Sequence, residues 1–397
     1  MLTLLMFLSL ACTDESGQDS AVGDDTNAAG DDTETDDTGL IDTGDCLIAN
    51  PPSDLSLSGE ALFFRAQSAT WTEPTQGCAD TERYEVALGH LMETDILDWS
   101  PVTGTVWDGV VTSELPEGKQ ITMYLRAIDA QDNISEPIAS TDYKLWSPSS
   151  LGGLVSWYDW SDSNKTLTSG CGGAAASGQM IGCMRDKSGN ANDLIQYNDG
   201  VATVDGPKVG SINGRPAADF SGNRLLFAQH NDSVAITTSN LTILCVDAPT
   251  RVEQSSIEYV VNKEGAYELA YRQAKFQAAV ETAASGAWDW GTTDSGTSAG
   301  PQMNAFLYDG STWTFRRNGS ELGSMTPAGN QTGAVNEGYF NAGSFQTNET
   351  PLVIGGRPSG NTISYEAVQG ELLILEQNPS DAELALLEDY LMQKWGL

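Results

Sequence analysis

Histidine is almost missing: only His90 and His230 occur in 397 residues, far apart in the chain. A histidine-built zinc site or a Ser-His-Asp triad therefore has too little to draw on. Positive charge is also scarce. Nineteen Lys and Arg stand against 55 Asp and Glu, a formal net charge of −36. A chain without clustered cations cannot track a phosphate backbone, so no nucleic acid is expected as a partner, nor an anionic polysaccharide. The acid excess instead suits a protein that lives in salty water. The six cysteines include no Cys-x-x-Cys spacing, which leaves a set suited to an oxidising, exported compartment. Periodic helical stretches are absent before the C-terminus, while Gly and aromatic residues run throughout. That pattern points to packed sheets and an all-β fold, and the length allows two or three domains.

What is present begins with residues 1–11, apolar from Leu2 to Ala11 apart from Thr3 and Ser9 and ending in Ser9-Leu10-Ala11-Cys12. The run is too short to span a bilayer and reads as the core of an export signal peptide. A small residue followed by Cys resembles the lipobox of bacterial lipoproteins, although Ser9 stands where that family has Leu and no basic residue precedes the run. The resemblance implies lipidation of Cys12 and an outer-membrane protein facing outward, with a plain secreted protein as the alternative. Residues 12–45 form an Asp/Thr-rich stretch. Between Thr13 and Asp45 it carries twelve acidic side chains and no basic or aromatic one, so it cannot bury enough surface to fold and reads as a disordered tether.

Residues 46–146 change to short β segments with turn signals between them. Trp71, Tyr84-Glu85-Val86 and the run with Leu115, Gly118, Ala127, Asp129, Asn133 and Ser135 resemble a fibronectin type III domain. Ile121, Met123, Leu125 and Ala127 alternate as a sandwich strand should. Asp132 replaces the family's Gly before Asn133, and Ile121 replaces its corner tyrosine. Glu93-Thr94-Asp95-Ile96-Leu97-Asp98 approximates the paired-carboxylate strand of glucanases, but it lies in the small domain and reads as a solvated loop leading into Trp99.

Residues 150–397 end in a strand, Leu372 to Leu375, a Ser380–Glu383 capping box, and a helix whose Leu384, Leu387, Leu391 and Trp395 form an apolar stripe. The Tyr390-Leu391…Lys394-Trp395-Gly396 finish resembles laminin-G-like (LamG-like) members of the concanavalin A-like lectin/glucanase superfamily. Trp157, Asp159 and Asp162, then Asp186, Ser188, Gly189 and Asn190, then Gly214, Pro216 and Phe220 occur in the family's order. So does the Asp309-Gly310/Asn318-Gly319 hairpin, whose Trp313, Phe315 and Arg317 share one strand face. The resemblance implies a jelly roll behind the small sandwich. It also makes calcium a candidate ligand, with no residues assigned to it.

Chemistry is harder to place. Glu264 and Glu268 are four apart and form a weak candidate catalytic pair; two ordinary strand-face glutamates account for them better. Trp288-Asp289-Trp290, expected on a loop, would if exposed make a stacking platform for a ligand such as an extracellular glycan or a surface protein; the alternative is that one or both rings plug the end of the sandwich. The favoured reading is a lipid-anchored binding or adhesion protein. A carbohydrate-active enzyme and an envelope spacer are the alternatives. Lipidation of Cys12 would leave five cysteines. Cys171 and Cys183 flank a Gly/Ala-rich loop and are expected to pair, as are Cys46 and Cys78, with Cys245 free in a buried strand.

Overall fold

The computed structural model describes residues 51–397 apart from 58–65, 75–80, 90–93, 95, 111–119, 141–142, 145, 197–203, 251–255, 294–298, 328 and 358–364. The expected lipid site Cys12, the tether and the Cys46–Cys78 pair lie outside these residues. Among the described residues the fold is all-β with one α-helix, at the C-terminus.

The small sandwich places strands Ser53–Leu57, Ala66–Thr72 and Val106–Val110 in one sheet. Leu97–Val102, Thr81–Gly89, Gln120–Asp129 and Ile138–Ala139 make the other, which Tyr143–Lys144 joins at its edge. Ile121, Met123, Leu125 and Ala127 all point into a core shared with Trp71, Tyr84 and Trp107, as their alternation required. Leu97 and Asp98, expected in a loop, open a strand because Leu97 pairs with Leu88. Asp132 takes a left-handed φ of 63°, the conformation that favours glycine. The turn is tied by Asp129, whose carboxylate accepts from the Gln131 and Asn133 backbone amides.

The larger sandwich packs a ten-stranded antiparallel sheet on an eight-stranded one. Strand Leu241–Pro249 runs at the centre of the second sheet, between Gln302–Tyr308 and the last strand, Ala367–Leu375. Ile243, Cys245, Phe306, Phe315 and Ile374 face inward against Leu269, Phe276, Ala278 and Val280 of the first sheet. Asn318-Gly319 makes the expected tight turn, with both residues at positive φ. Within that hairpin Trp313 and Phe315 enter the core, whereas Arg316 turns the other way onto Glu388 of the helix at 2.7 and 2.8 Å.

The helix Asp381–Trp395 starts with the predicted capping box and ends on Gly396 at φ 67°. Its stripe, Leu384, Leu387, Leu391 and Trp395, covers the outer face of the eight-stranded sheet over Leu244, Val246, Met303, Leu373 and Leu375. Gly370 is required beneath it, because a Cβ there would meet the Trp395 ring at 2.9 Å. The two ends of the domain also meet there. Glu371, fully buried, accepts from Trp157 Nε1 at 2.7 Å and Trp395 Nε1 at 2.8 Å, and pairs with Lys394 at 2.9 Å. Asp159 pairs with Lys394 at 2.7 Å and Lys187 at 3.0 Å. Burial alone would raise the Asp159 carboxyl, yet the two ammonium groups hold it well below the usual carboxylate range. Asp186 accepts from the Trp157 backbone amide at 2.9 Å and from Ser188 Oγ at 2.6 Å. The residues that carried the resemblance at both ends of the domain thus form one structural clamp.

Cys171 is bonded to Cys183, and Cys245 is a buried free thiol. Burial pushes that thiol well up, so it behaves as a small hydrophobe.

Candidate functional site

One outer sheet face is covered by the helix. Among the described residues no helix lies on the corresponding face of the ten-stranded sheet, whose composition follows from strand alternation. In strands Glu258–Lys263, Tyr267–Arg272, Lys275–Glu281 and Trp288–Thr293, the residues Val261, Leu269, Phe276, Ala278 and Val280 fill the core. Their neighbours must turn outward. Asn262 pairs with Glu268, Glu268 with Ala279, Ala279 with Trp290, and Trp290 with Tyr339 of strand Val335–Tyr339, so these five share the outer face. Gln277 and Thr292 are paired one step along the same face, beside Ala270.

The Trp288-Asp289-Trp290 triplet is therefore a strand segment and not the expected loop. Trp288 and Trp290 stand half-buried on the outer face, with Trp290 edge-on to the 56% exposed Tyr339 at 6.4 Å. Asp289 points the other way. It is buried at 1% exposure and bonds the Asn341 backbone amide at 2.7 Å, which makes it a structural group. Gly291 between the strand's outward positions agrees with the alternation, since a Cβ there would strike Met325 at 2.8 Å and the Trp313 ring at 3.2 Å on the core side.

The two glutamates are not a matched pair on a regular strand. Glu264 lies in the tight connection between strands Glu258–Lys263 and Tyr267–Arg272, with Gly265 at φ 72° beside it. Its carboxylate is gripped by both Nε and Nη2 of Arg357. Arg357 also donates to Tyr259 Oη at 3.2 Å and lies 5.9 Å from the Trp288 ring. Glu268, expected to be an ordinary strand-face glutamate, is 5% exposed and has no ion pair of its own among the described residues. It accepts from Asn262 Nδ2 at 3.2 Å. Burial pushes its carboxyl up to about 7, against the pull of Arg357. At neutral pH it is thus shared between acid and carboxylate.

Beside Glu268, three further polar atoms are buried without a hydrogen-bond partner: Asn262 Oδ1, Gln277 Oε1 and Thr292 Oγ1. Their side chains are at most 3% exposed. Leaving a buried polar atom unmet costs about 1–3 kcal/mol.

A second buried acid was also invisible in the sequence. Asp247, paired in register with Gln302, lies between the sheets and accepts from Tyr271 Oη at 2.8 and 2.9 Å and from Tyr365 Oη. Burial raises it to about 6, opposed by those hydroxyls. Arg317 reaches this cluster through Asn304 at 2.9 Å, and Asn304 donates to Tyr271 Oη at 2.8 Å. At the sandwich end Lys263 is buried against Thr350 O at 2.6 Å and His230 Nδ1 at 3.4 Å, and burial lowers it to about 8. Among the described residues no group of three or more His, Cys, Asp or Glu is placed to hold a metal ion.

Sequence reasoning missed Asn262, Gln277, Thr292, Tyr259 and Arg357. The signal for the first three was polar residues at every second position of otherwise apolar strands, which the eye takes for a solvated face.

No protein-family model matches the chain, and no curated protein matches it. Among solved structures it is similar to the binding domain of Paraclostridial Mosquitocidal Protein 1, at 13% identity and a TM-score of 0.44 over 60% of this chain and 52% of that one. It is also similar to the receptor binding domain of botulinum neurotoxin D, at 8% identity and a TM-score of 0.40 over 60% and 53%. The binding domain of botulinum neurotoxin serotype G follows at 11% identity and 0.38 over 59% and 50%. The chain spans about half the length of each of these structures.

Proposed function

We propose that this protein is a lipid-anchored binding or adhesion module of a bacterial surface, which holds an extracellular glycan or a surface protein against the outer face of its ten-stranded sheet. The observation that carries the reading is the aromatic strip on the outer face of the ten-stranded sheet, where Trp288 and Trp290 stand half-buried and Tyr339 is exposed. Rings of this kind give a sugar's apolar face a large contact area at low entropic cost. A glycosidase reading has less support, because the Glu264 carboxylate is already committed to Arg357 and a hydrolase needs two carboxyls free to act.

Each sandwich supports its part of the domain reading. The small one sets a three-stranded sheet against a five-stranded one, as a fibronectin type III-like sandwich would, and the larger has two antiparallel sheets and a terminal helix, as a LamG-like jelly roll would.

Two measurements test the proposal. On a glycan array probed with and without calcium, the full chain should give hits that Trp290→Ala weakens at least tenfold, the loss of about 1.4 kcal/mol of stacking. An array without hits, or hits indifferent to Trp290, would sink the binding face. Cys12→Ala should leave unprocessed precursor or release the protein from membranes, because two or more acyl chains are what make anchoring stable. Unchanged fractionation would remove the anchor.

A further inference from the structure

Lys263 closes strand Glu258–Lys263 and is 1% exposed. In a chain with 55 Asp and Glu, an ammonium group buried so completely belongs beside a carboxylate. Among the described residues Lys263 forms no ion pair. Its Nζ donates to Thr350 O at 2.6 Å and lies 3.4 Å from both His230 Nδ1 and Asn348 Oδ1. Burial lowers the amine to about 8, so part of it is uncharged at neutral pH. A buried amine that can lose its charge is a nucleophile, and the group it meets is a carboxamide.

That carboxamide is held and polarised. Asn348 stands 85 positions along the chain from Lys263, in the segment leading into strand Leu352–Ile354, whose Leu352 pairs with Lys263. Its Nδ2 donates to Glu264 O at 2.8 Å. Its Oδ1 lies 3.2 Å from the Thr350 backbone amide and 2.6 Å from the Thr350 hydroxyl, whose proton Glu264 O at 2.7 Å also attracts. These contacts fix which end of the amide is oxygen. Donors aimed at a carbonyl oxygen stabilise the charge that develops there when the carbon is attacked. A carboxylate stands close by as well. A Cβ on Gly265 would lie 3.0 Å from Asn348 Nδ2 and 3.9 Å from Glu281 Oε2, so the two groups border one space.

We propose that Lys263 and Asn348 form an intramolecular isopeptide bond, an amide joining the two side chains at the end of the larger sandwich. The ammonium form of Lys263 gives one proton to His230 Nδ1, and the freed lone pair attacks Asn348 Cγ, making the Nζ–Cγ bond. The oxygen of the tetrahedral adduct stays on the Thr350 donors. A proton then passes from Nζ to Nδ2, with Glu281 beside the leaving nitrogen to carry it. The Cγ–Nδ2 bond breaks and ammonia departs. An amine and a primary amide become a secondary amide and ammonia, so no oxidant or other co-reactant is needed. Free amines and amides exchange very slowly, but two groups held in contact need no bimolecular encounter. The finished bond closes a long loop as a disulfide does, and it resists reduction. It is independent of what the outer sheet face binds.

The experiment is tryptic peptide mapping of the full chain by mass spectrometry, with circular dichroism as the check on folding. Trypsin is expected to leave the chain uncut after Lys263 and to yield one branched peptide carrying Lys263 and Asn348, lighter by one ammonia than its two arms together. Lys263→Arg and Asn348→Ala should each give separate linear peptides and melt several degrees below the parent. His230→Gln should lower the linked fraction several-fold. A folded parent whose peptides are all linear, with cleavage after Lys263, would overturn the proposal, as would a link from Lys263 to any other residue. An equal linked fraction in His230→Gln would overturn the part given to His230 and leave the bond standing. Should the variants fail to fold, the parent's own digest decides the matter alone.

Discussion

Replacing Glu371 by alanine is expected to lower the unfolding free energy by about 3–5 kcal/mol, the cost of breaking a buried ionic cluster by removing one partner. The side chain is fully buried and serves four groups at once: Trp157 Nε1, Trp395 Nε1, Tyr390 Oη and Lys394 Nζ. Removing it leaves two indole donors without their acceptor beneath the helix and takes from Lys394 one of its two carboxylates, Asp159 being the other. The same cluster has a pH signature. Because Asp159 is held below its ordinary value, its contribution is fully present above about pH 4 and is lost as the pH falls further. Chemical unfolding of the full chain, followed by far-UV circular dichroism, should show the loss in Glu371→Ala and a smaller one in Glu371→Gln, which keeps one acceptor. A cost below about 1 kcal/mol would mean that the helix docks through its leucine stripe alone and that the clamp adds nothing.

The second large effect runs the other way with pH. Burial raises Glu268 from an ordinary 4.5 to about 7, and Asp247 from 3.8 to about 6. An acid whose folded pKa is raised binds its proton more tightly when folded. Its cost to stability is therefore absent below its ordinary pKa, grows through the interval, and is complete above the raised value. At about 1.36 kcal/mol per pH unit, each group costs about 3 kcal/mol once ionised. Denaturant midpoints should accordingly fall between pH 5 and pH 8. Glu268→Gln should flatten the upper part of that fall and be the more stable protein at pH 8 by about 2–3 kcal/mol. Its new amide N–H groups also lie beside the unmet acceptors of Asn262 and Gln277. Midpoints that stay level from pH 5 to 8, or a Glu268→Gln variant less stable than the parent at pH 8, would contradict the assignment.

The sequence by itself determined the elements that depend on local rules. The capping box at Ser380, the Asn318-Gly319 turn, the inward alternation of Ile121 to Ala127 and the helix stripe could all be read because each rests on residues a few positions apart. The Cys171–Cys183 pair and the buried Cys245 were legible for the same reason, one from a loop with little to pack and the other from an apolar strand.

Only the tertiary structure decided the candidate site. Asn262, Glu268, Gln277 and Thr292 come from four different strands, and nothing local says that their registers align them. Trp288-Asp289-Trp290 looked like one loop motif, but strand pleating sends its two rings outward and its carboxylate inward. Glu264 and Glu268 looked alike, yet one lies in a turn against Arg357, a residue 93 positions away, and the other is buried with no ion pair of its own among the described residues. Hydrogen-bond partners, burial and shifted proton affinities are set by what the sheet brings across from distant strands, and a one-residue change in register would exchange every one of these side chains between the core and the outer face.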